Sequence, residues 1–424
     1  MYVYPINLVS LKNLHLLLYF SSYKNIFNYY NIISSPKKSS QFICLSKIYR
    51  EKYENHKIDE LVSIGGQIYQ SSIDSLFNPN KKQCIPLSGG LDSRGILGAL
   101  LECTSAPNIY TFTFGIPGSY DYEIGNMIAK NVGTKHKCIN LLNYQYTQHE
   151  LEEVSRRVDM QTVLFFTYPI SITDEIMNDK DVWSGAAIDI IFGLHFYKYD
   201  RCIDSSFVEA AYNSFEDNKF VPNLKLSNIS KYLYLKYIDY NQELEKYFNK
   251  GFIIDILNRL VKYLIPHLYM KPFNYKKIIY SKELINFAMS VNQEYHKNRL
   301  LYIKILSSLY PNLFNLPIAN NYGLPLNAPK WKIDIRHGLE YIRRKLCKIS
   351  KFTNYNNFDK EIRYNDSLKT IIENNINDLT SRKIIDWIDI NDIFNRHINK
   401  KGNYANALLV LTSLEIHLKN GKII

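Results

Sequence analysis

At 424 residues and 46% apolar side chains, the chain is long enough for two or three domains with a sizeable core, and it lacks the composition of a disordered protein. Its 52 Lys and Arg against 40 Asp and Glu leave a net charge of +12, which bears on anionic partners and not on fold. Six scattered cysteines (Cys44, Cys84, Cys103, Cys138, Cys202 and Cys347) form no CxxC pair, which argues against a zinc ribbon or iron–sulfur site and fits a reducing cytoplasm.

In chain order, the first apolar stretch is residues 8–20. It is interrupted by Lys12, Asn13 and His15, is too short to span a bilayer, and lacks the flanks of a signal peptide, so it reads as a core helix. Residues 1–80 otherwise carry few signals and are read as a remnant or a cap. Beyond them, strand patterns at 83–87, 109–114, 137–141 and 181–184 alternate with helical patterns at 94–102, 121–132, 149–158 and 169–177. This alternation predicts an α/β fold, a parallel sheet with flanking helices whose ligands sit at the carboxyl ends of the strands. Past residue 205 the strand signals fade. Helical periodicity at 252–265, 282–290, 300–308 and 405–418 predicts a mainly helical C-terminal part that walls one side of the cleft. The expected organisation is an N-terminal remnant or cap over 1–80, an α/β domain over 81–330, and a helical basic region over 331–424.

The stretch with most chemical content is Ser88-Gly89-Gly90-Leu91-Asp92-Ser93. It follows the apolar run ending at Leu87 and opens a helix. A strand, a Gly-rich turn and a helix N-terminus together make an anion site, because backbone N–H groups and the helix dipole converge there. Neither the Lys-Ser/Thr of a Walker loop nor the third glycine of a dinucleotide fingerprint is present. Downstream, Asp121 to Val132 reads as a helix with Asp121 at its N-cap and Gly133 as its stop. A basic concentration at Arg343-Arg344-Lys345-Leu346-Cys347-Lys348-Ile349-Ser350-Lys351 reads by default as a solvated helix face, with tRNA phosphates or an anionic membrane surface as the alternatives.

SGGxDS is the signature of the pyrophosphate-loop ATPases. Within them this chain resembles the asparagine synthetase-like family over roughly residues 80–330. Tyr110 to Gly115, including Phe114, is similar to the strand that lies beside the adenine. Asp121 to His136 resembles the family's acidic start, helix and Gly-Thr-x-His exit. Ser184, Gly185 and Asp189 are retained from its Ser-Gly-Glu-Gly-Ala-Asp-Glu segment, and Pro272-Phe273 with Leu284 to Ala288, Lys304 and Pro311 resembles its helical substrate side.

The resemblance implies an adenine nucleotide alpha-hydrolase-like, Rossmann-like fold and an ATP-dependent, AMP-forming amide ligase. A carboxylate is activated as its acyl-adenylate with loss of pyrophosphate, and ammonia or an amine then displaces AMP. Asp92 and Asp189 fall at the family's Mg²⁺-bridging, catalytic positions. Leu87, Ser88, Gly89, Gly90, Asp92, Ser93, Phe114, Ser184 and Gly185 fall at its ATP- and pyrophosphate-binding positions. The implied cofactors are ATP and Mg²⁺. The implied partners are a small-molecule, sugar or peptide carboxylate and an amine or ammonia donor, with a separate glutaminase as one source; no transmembrane segment and no nucleic acid are expected, and the location is cytoplasmic.

Several departures separate the chain from an ordinary asparagine synthetase. The segment's first Glu is Ala186, the residue after its Asp is Ile190, and 318–325 carries no base where the family has a phosphate-contacting Lys; Lys304, Lys330 and Lys332 are the candidates to replace it. Met1-Tyr2 lacks the N-terminal Cys of glutamine-dependent members, and no amidohydrolase domain is read before the loop. The alternative readings are a non-catalytic nucleotide-binding descendant and a pyrophosphate-loop tRNA-modifying enzyme.

Overall fold

The computed structural model describes residues 50–53, 55–158, 163–185, 188–193, 240–246, 248–254, 257, 269–346, 351–352, 354–385 and 388–421. The four expected strands are present as β1 (Gln83–Pro86), β2 (Ile109–Gly115), β3 (Lys135–Asn140) and β4 (Asp181–Trp183). A fifth, β5 (Asn274–Lys276), completes a wholly parallel sheet in the order β3-β2-β1-β4-β5.

β5 was not expected from the sequence, where strand signals fade after residue 205. It is three residues long and starts just after Pro272, too short for an alternation pattern to register. Pairing and side chains hold it instead. Val182 faces Tyr275 in register, Asn274 Nδ2 donates to Asp181 Oδ1 (2.7 Å), and Lys276 Nζ meets Asp181 Oδ2 (3.0 Å).

β1 lies at the centre, with Cys84 paired to Tyr110 on one side and to Val182 on the other. Buried on both faces, it reads as a continuous apolar run. β3 and β5 are the edge strands, and the polar start of β3, Lys135-His136-Lys137, both protects its edge and hides its beginning from hydropathy.

The helices fall close to expectation: Asp92–Cys103, Tyr120–Val132, Gln148–Arg157, Ile170–Met177, Lys282–Ser290, Leu300–Leu309 and Ala405–Asn420. Of the helix expected over 252–265, Lys250–Ile254 is described and most of the remainder lies outside the described residues. The 8–20 stretch also lies outside them, as do Cys44, Cys202, Cys347 and Ala186.

Asp121 is not the N-cap. Ser119 occupies that position, while Asp121 sits in the first turn and turns its carboxylate to the Gly89 amide, a tertiary contact that local capping rules do not anticipate. The same helix stops at Gly133, which is left-handed as expected (φ 83°).

Helix Ile58–Asp74 is integral to the sheet's core. It packs on helices Leu300–Leu309, Lys282–Ser290 and Asp92–Cys103, burying Leu61, Tyr69 and Ile73 completely. A second core forms where helix Gln148–Arg157 and residues 163–170 meet the C-terminal helices Phe358–Tyr364, Asp366–Ser381, Ile390–Ile398 and Ala405–Asn420. Ala405–Asn420 is apolar around most of its circumference and is accordingly buried on all sides. Its one internal acid, Glu415, is fully buried and held by a two-pronged Arg382 contact (2.7 and 2.9 Å), so the charge is paired as burial demands.

Candidate active site

The chain runs outward from β1 through β2 to β3, then returns to place β4 on the other flank of β1. The connections leaving β1 and β4 therefore part in opposite directions, and the crevice between them is the topological switch point where open parallel sheets bind ligands. The loop 88–93 follows β1 and the segment 184–189 follows β4, so one topological feature brings two sequence motifs together.

The loop is ordered by its own side chains. The Ser88 amide donates to Ser93 Oγ (3.1 Å), the two seryl oxygens are 3.1 Å apart, and the Gly90 amide donates to Ser88 Oγ (3.2 Å). The Gly89 amide donates to Asp121 Oδ1 (3.1 Å), so it already holds an anionic oxygen. Gly89 is also a point of close approach, for a Cβ there would stand 3.0 Å from both Ala319 Cβ and the Tyr120 carbonyl oxygen. The Ala319 amide donates to the Gly89 carbonyl (2.9 Å), which docks the 318–324 turn on the loop. Leu87 extends the sheet geometry past β1, donating to the Phe112 carbonyl and accepting from Thr113 Oγ1.

Behind the loop, Arg94 is completely buried. Its guanidinium donates to the carbonyls of Leu313 (3.0 Å), Leu316 (3.2 Å), Pro317 (2.6 Å) and Gly89 (3.4 Å), and lies over the Phe314 ring. Burial pulls its pKa down to about 10, which still leaves it cationic at neutral pH.

Asp92 and Asp189 meet at the mouth of this crevice. Gly185 is what permits it: a Cβ at that position would stand 2.7 Å from the Asp92 Cβ and 2.8 Å from its carbonyl carbon. Tyr302 donates its hydroxyl to Asp92 Oδ1 (2.8 Å), and Arg299 Nη1 reaches Asp189 Oδ2 (3.4 Å). Burial, and then the negative charge of Asp189, push the Asp92 carboxyl well above the ordinary carboxylate range. The Tyr302 hydroxyl, the Arg299 cation and the Asp189 amide oppose that rise. Tyr302 is itself buried and fixed by a ring stack on Phe192 (4.9 Å between centroids, 14° between planes). Arg299 and the preceding Asn298 are both left-handed (φ 60° and 52°), conformations that cost on the order of 1–3 kcal/mol each in residues other than glycine and that concentrate at functional sites.

The remaining expected residues are distributed as follows. Ser184 is buried beside Gly185 at the end of β4. Phe114 stands near the end of β2, its ring against Tyr168 and Tyr355 and its carbonyl accepting from Asn354 Nδ2 (2.9 Å). His136 bridges Thr111 Oγ1 (2.8 Å) and Asn126 Oδ1 (2.6 Å), a position that ties β2 and β3 to helix Tyr120–Val132. Lys304, Lys330 and Lys332 are exposed, and no hydrogen bond or ion pair joins them to the loop among the described residues.

Sequence reasoning missed Arg299 and Tyr302 as site residues. Their three-residue spacing at the start of the expected 300–308 helix was the available signal, since it puts both on one face. In a chain with 35 tyrosines, however, one more Tyr stands out from nothing.

A wholly parallel α/β sheet with an SGGxDS loop at its switch point and a second carboxylate brought in from the neighbouring strand is an architecture suited to an anionic ligand at the carboxyl ends of the strands. Consistent with this, the model of the asparagine synthase family matches residues 77–266, just under half of the chain. That part of the protein is similar to the asparagine synthase domain, a family of the ATP-dependent amidoligase type. No curated protein matches the chain.

Proposed function

We propose that this domain is an AMP-forming amide ligase. The observation that carries the reading is the meeting of Asp92 and Asp189, from two different loops, at the end of the SGGLDS turn. A substrate carboxylate oxygen attacks the α-phosphorus of ATP, the bond to the β-phosphate breaks, and pyrophosphate departs. An amine or ammonia then attacks the acyl carbon and AMP leaves.

Ser88, Gly89, Gly90 and Ser93 would hold the departing β,γ unit with hydroxyls and amides; the Gly89 amide, already oriented on a carboxylate oxygen, is suited to an anionic one. Leu87, Phe114, Ser184 and Gly185 would line the nucleotide's path from β2 to β4. Two half-buried carboxylates, one destabilised by the other, are a hard-oxygen donor pair that fits Mg²⁺. Asp92 and Asp189 would hold it, and when bound it supplies the charge that neutralises the leaving pyrophosphate. Among the described residues no larger cluster of His, Cys, Asp or Glu competes for a metal.

The products of ATP turnover are expected to be AMP and pyrophosphate. Incubation of the full chain with radiolabelled ATP, Mg²⁺ and a panel of carboxylates and amines, read by chromatography, tests this. ADP as the main product overturns the assignment, and ATP binding without pyrophosphate release would make the chain a nucleotide-binding descendant instead.

Tyr302→Phe should retain the fold and lose roughly tenfold in kcat/KM for ATP, the worth of one hydrogen bond to a charged group. The same variant with full activity would remove Tyr302 from the machinery.

A further inference from the structure

Helix Lys330–Leu346 carries a feature that an ATP-consuming crevice does not use. Trp331, Ile335, Leu339, Ile342 and Leu346 recur at spacings of four, four, three and four, so they form one stripe along the helix. All five face solvent, with relative exposures of 60%, 54%, 53%, 52% and 78%.

The opposite side is the one seated on the protein. Glu340 is buried there and accepts the Lys351 amide (2.9 Å), and the His337 ring packs on Tyr322 (5.3 Å). Gly338 lies within the apolar stripe, and nothing stands within 4 Å of where its Cβ would be. The stripe therefore points away from the rest of the described structure. Five large apolar side chains in one contiguous row exceed the singly scattered apolar residues of ordinary surfaces.

Its shoulders are cationic. Lys332 and Arg336 run along one edge, joined by Arg343, which pairs with the buried Glu340 (3.1 Å), and Lys345 stands on the other edge together with Asp334, the one exposed acid on the helix. The Lys332 ammonium lies over the Trp331 ring and the Lys345 ammonium over the Tyr341 ring, so these cations already sit against aromatic faces at the helix surface. We infer that this helix docks the protein onto an anionic lipid surface, lying flat with Trp331, Ile335, Leu339, Ile342 and Leu346 in the acyl boundary and the shoulder cations on the headgroups.

The charge pattern selects this occupant. An apolar row flanked by Lys332 and Arg336 on one edge and by Lys345 on the other matches a surface that is oily at depth and negative at its rim. Nucleic acid would find no donors along the middle of the face. A second copy docked stripe to stripe would set cationic edges against each other on chains that already carry +12. The helix is 17 residues and charged, and no helix among the described residues is long and apolar enough to cross a membrane, so the contact is peripheral. This inference is independent of the ligase reading.

The test is co-sedimentation of the full chain with sucrose-loaded vesicles of phosphatidylcholine alone or mixed with phosphatidylglycerol. Binding is expected to the mixed vesicles only, to weaken with added salt, and to be accompanied by a blue shift of tryptophan fluorescence. Ile335→Asp combined with Ile342→Asp should lower the vesicle affinity by at least about a hundredfold, with circular dichroism and ATP turnover unchanged. Lys332→Glu combined with Lys345→Glu should lower it by roughly tenfold or more and remove much of the salt dependence. Equal binding to both vesicle types, or no binding to either, overturns the proposal. So does a stable dimer, or RNA binding, that the Ile335 and Ile342 changes abolish.

Discussion

Asp92→Asn is expected to lower AMP formation by at least about a thousandfold while leaving thermal stability unchanged or slightly raised. The two halves of that expectation share one cause. Burial and the neighbouring Asp189 penalise the ionised Asp92 carboxyl, holding its folded-state pKa above the unfolded value. At neutral pH the group is ionised in the unfolded chain and is held charged in the fold only at a cost, so neutralising it relieves a destabilising charge. Asparagine keeps the shape and retains an oxygen to accept the Tyr302 hydroxyl. What it cannot supply is a full negative charge for a hard cation. Pyrophosphate release measured beside a thermal melt separates these effects, and undiminished AMP production in the variant would eliminate Asp92 as a metal ligand. Asp189→Asn should behave alike, although it also weakens the contact to Arg299. The double variant should cost little more than either single change, because groups that act as one unit are not additive.

Arg94→Met should destabilise the protein by about 3–5 kcal/mol, because several buried carbonyls lose their donor at about 1–3 kcal/mol each. Methionine approximates the apolar stem but leaves the carbonyls of Leu313, Leu316 and Pro317 facing a side chain with no donor. The stacking on Phe314 is also lost. Lysine should rescue only part of the loss, since a single ammonium cannot reproduce the planar fork that reaches several acceptors at once. The consequence for function is local. Arg94 ties the Gly89 carbonyl to the 313–317 segment, so its loss frees the loop from the turn against which it is set. Urea denaturation of Arg94→Met and Arg94→Lys checks the order wild type, Lys, Met. A variant with an unchanged unfolding midpoint would show that water or relaxation satisfies those carbonyls.

Much of the domain was legible because its signals are local. β1, the Gly-rich turn and the helix that follows form one contiguous segment, and each announces itself within a few residues: Cys84-Ile85 as a buried strand, Gly89-Gly90 as a tight turn, Ile96-Leu97 as a buried helix face. The same holds for Gly133 as a helix stop and for Lys282–Ser290, whose bounds match the periodicity throughout. Asp121 shows where local reasoning ends. Its place at the start of a helix was right, but the position it occupies is decided by Gly89, 32 residues away in sequence.

What the sequence determined by itself is the SGGLDS turn between a strand and a helix and the parallel α/β character of the sheet. Periodicity and turn chemistry act over fewer than about twenty residues, so these features are written into short windows. Only the tertiary structure decided that Tyr302 reaches Asp92 across 210 residues, that Arg299 reaches Asp189 across 110, and that Arg94 holds Leu313 across 219. It also decided that three residues at 274–276 complete the sheet, and that the seat of Glu340 turns the stripe of helix Lys330–Leu346 outward. Such contacts follow from how separate elements pack, and the residues that make them, an Arg or a Tyr among many, carry no mark of their partner in the neighbouring sequence.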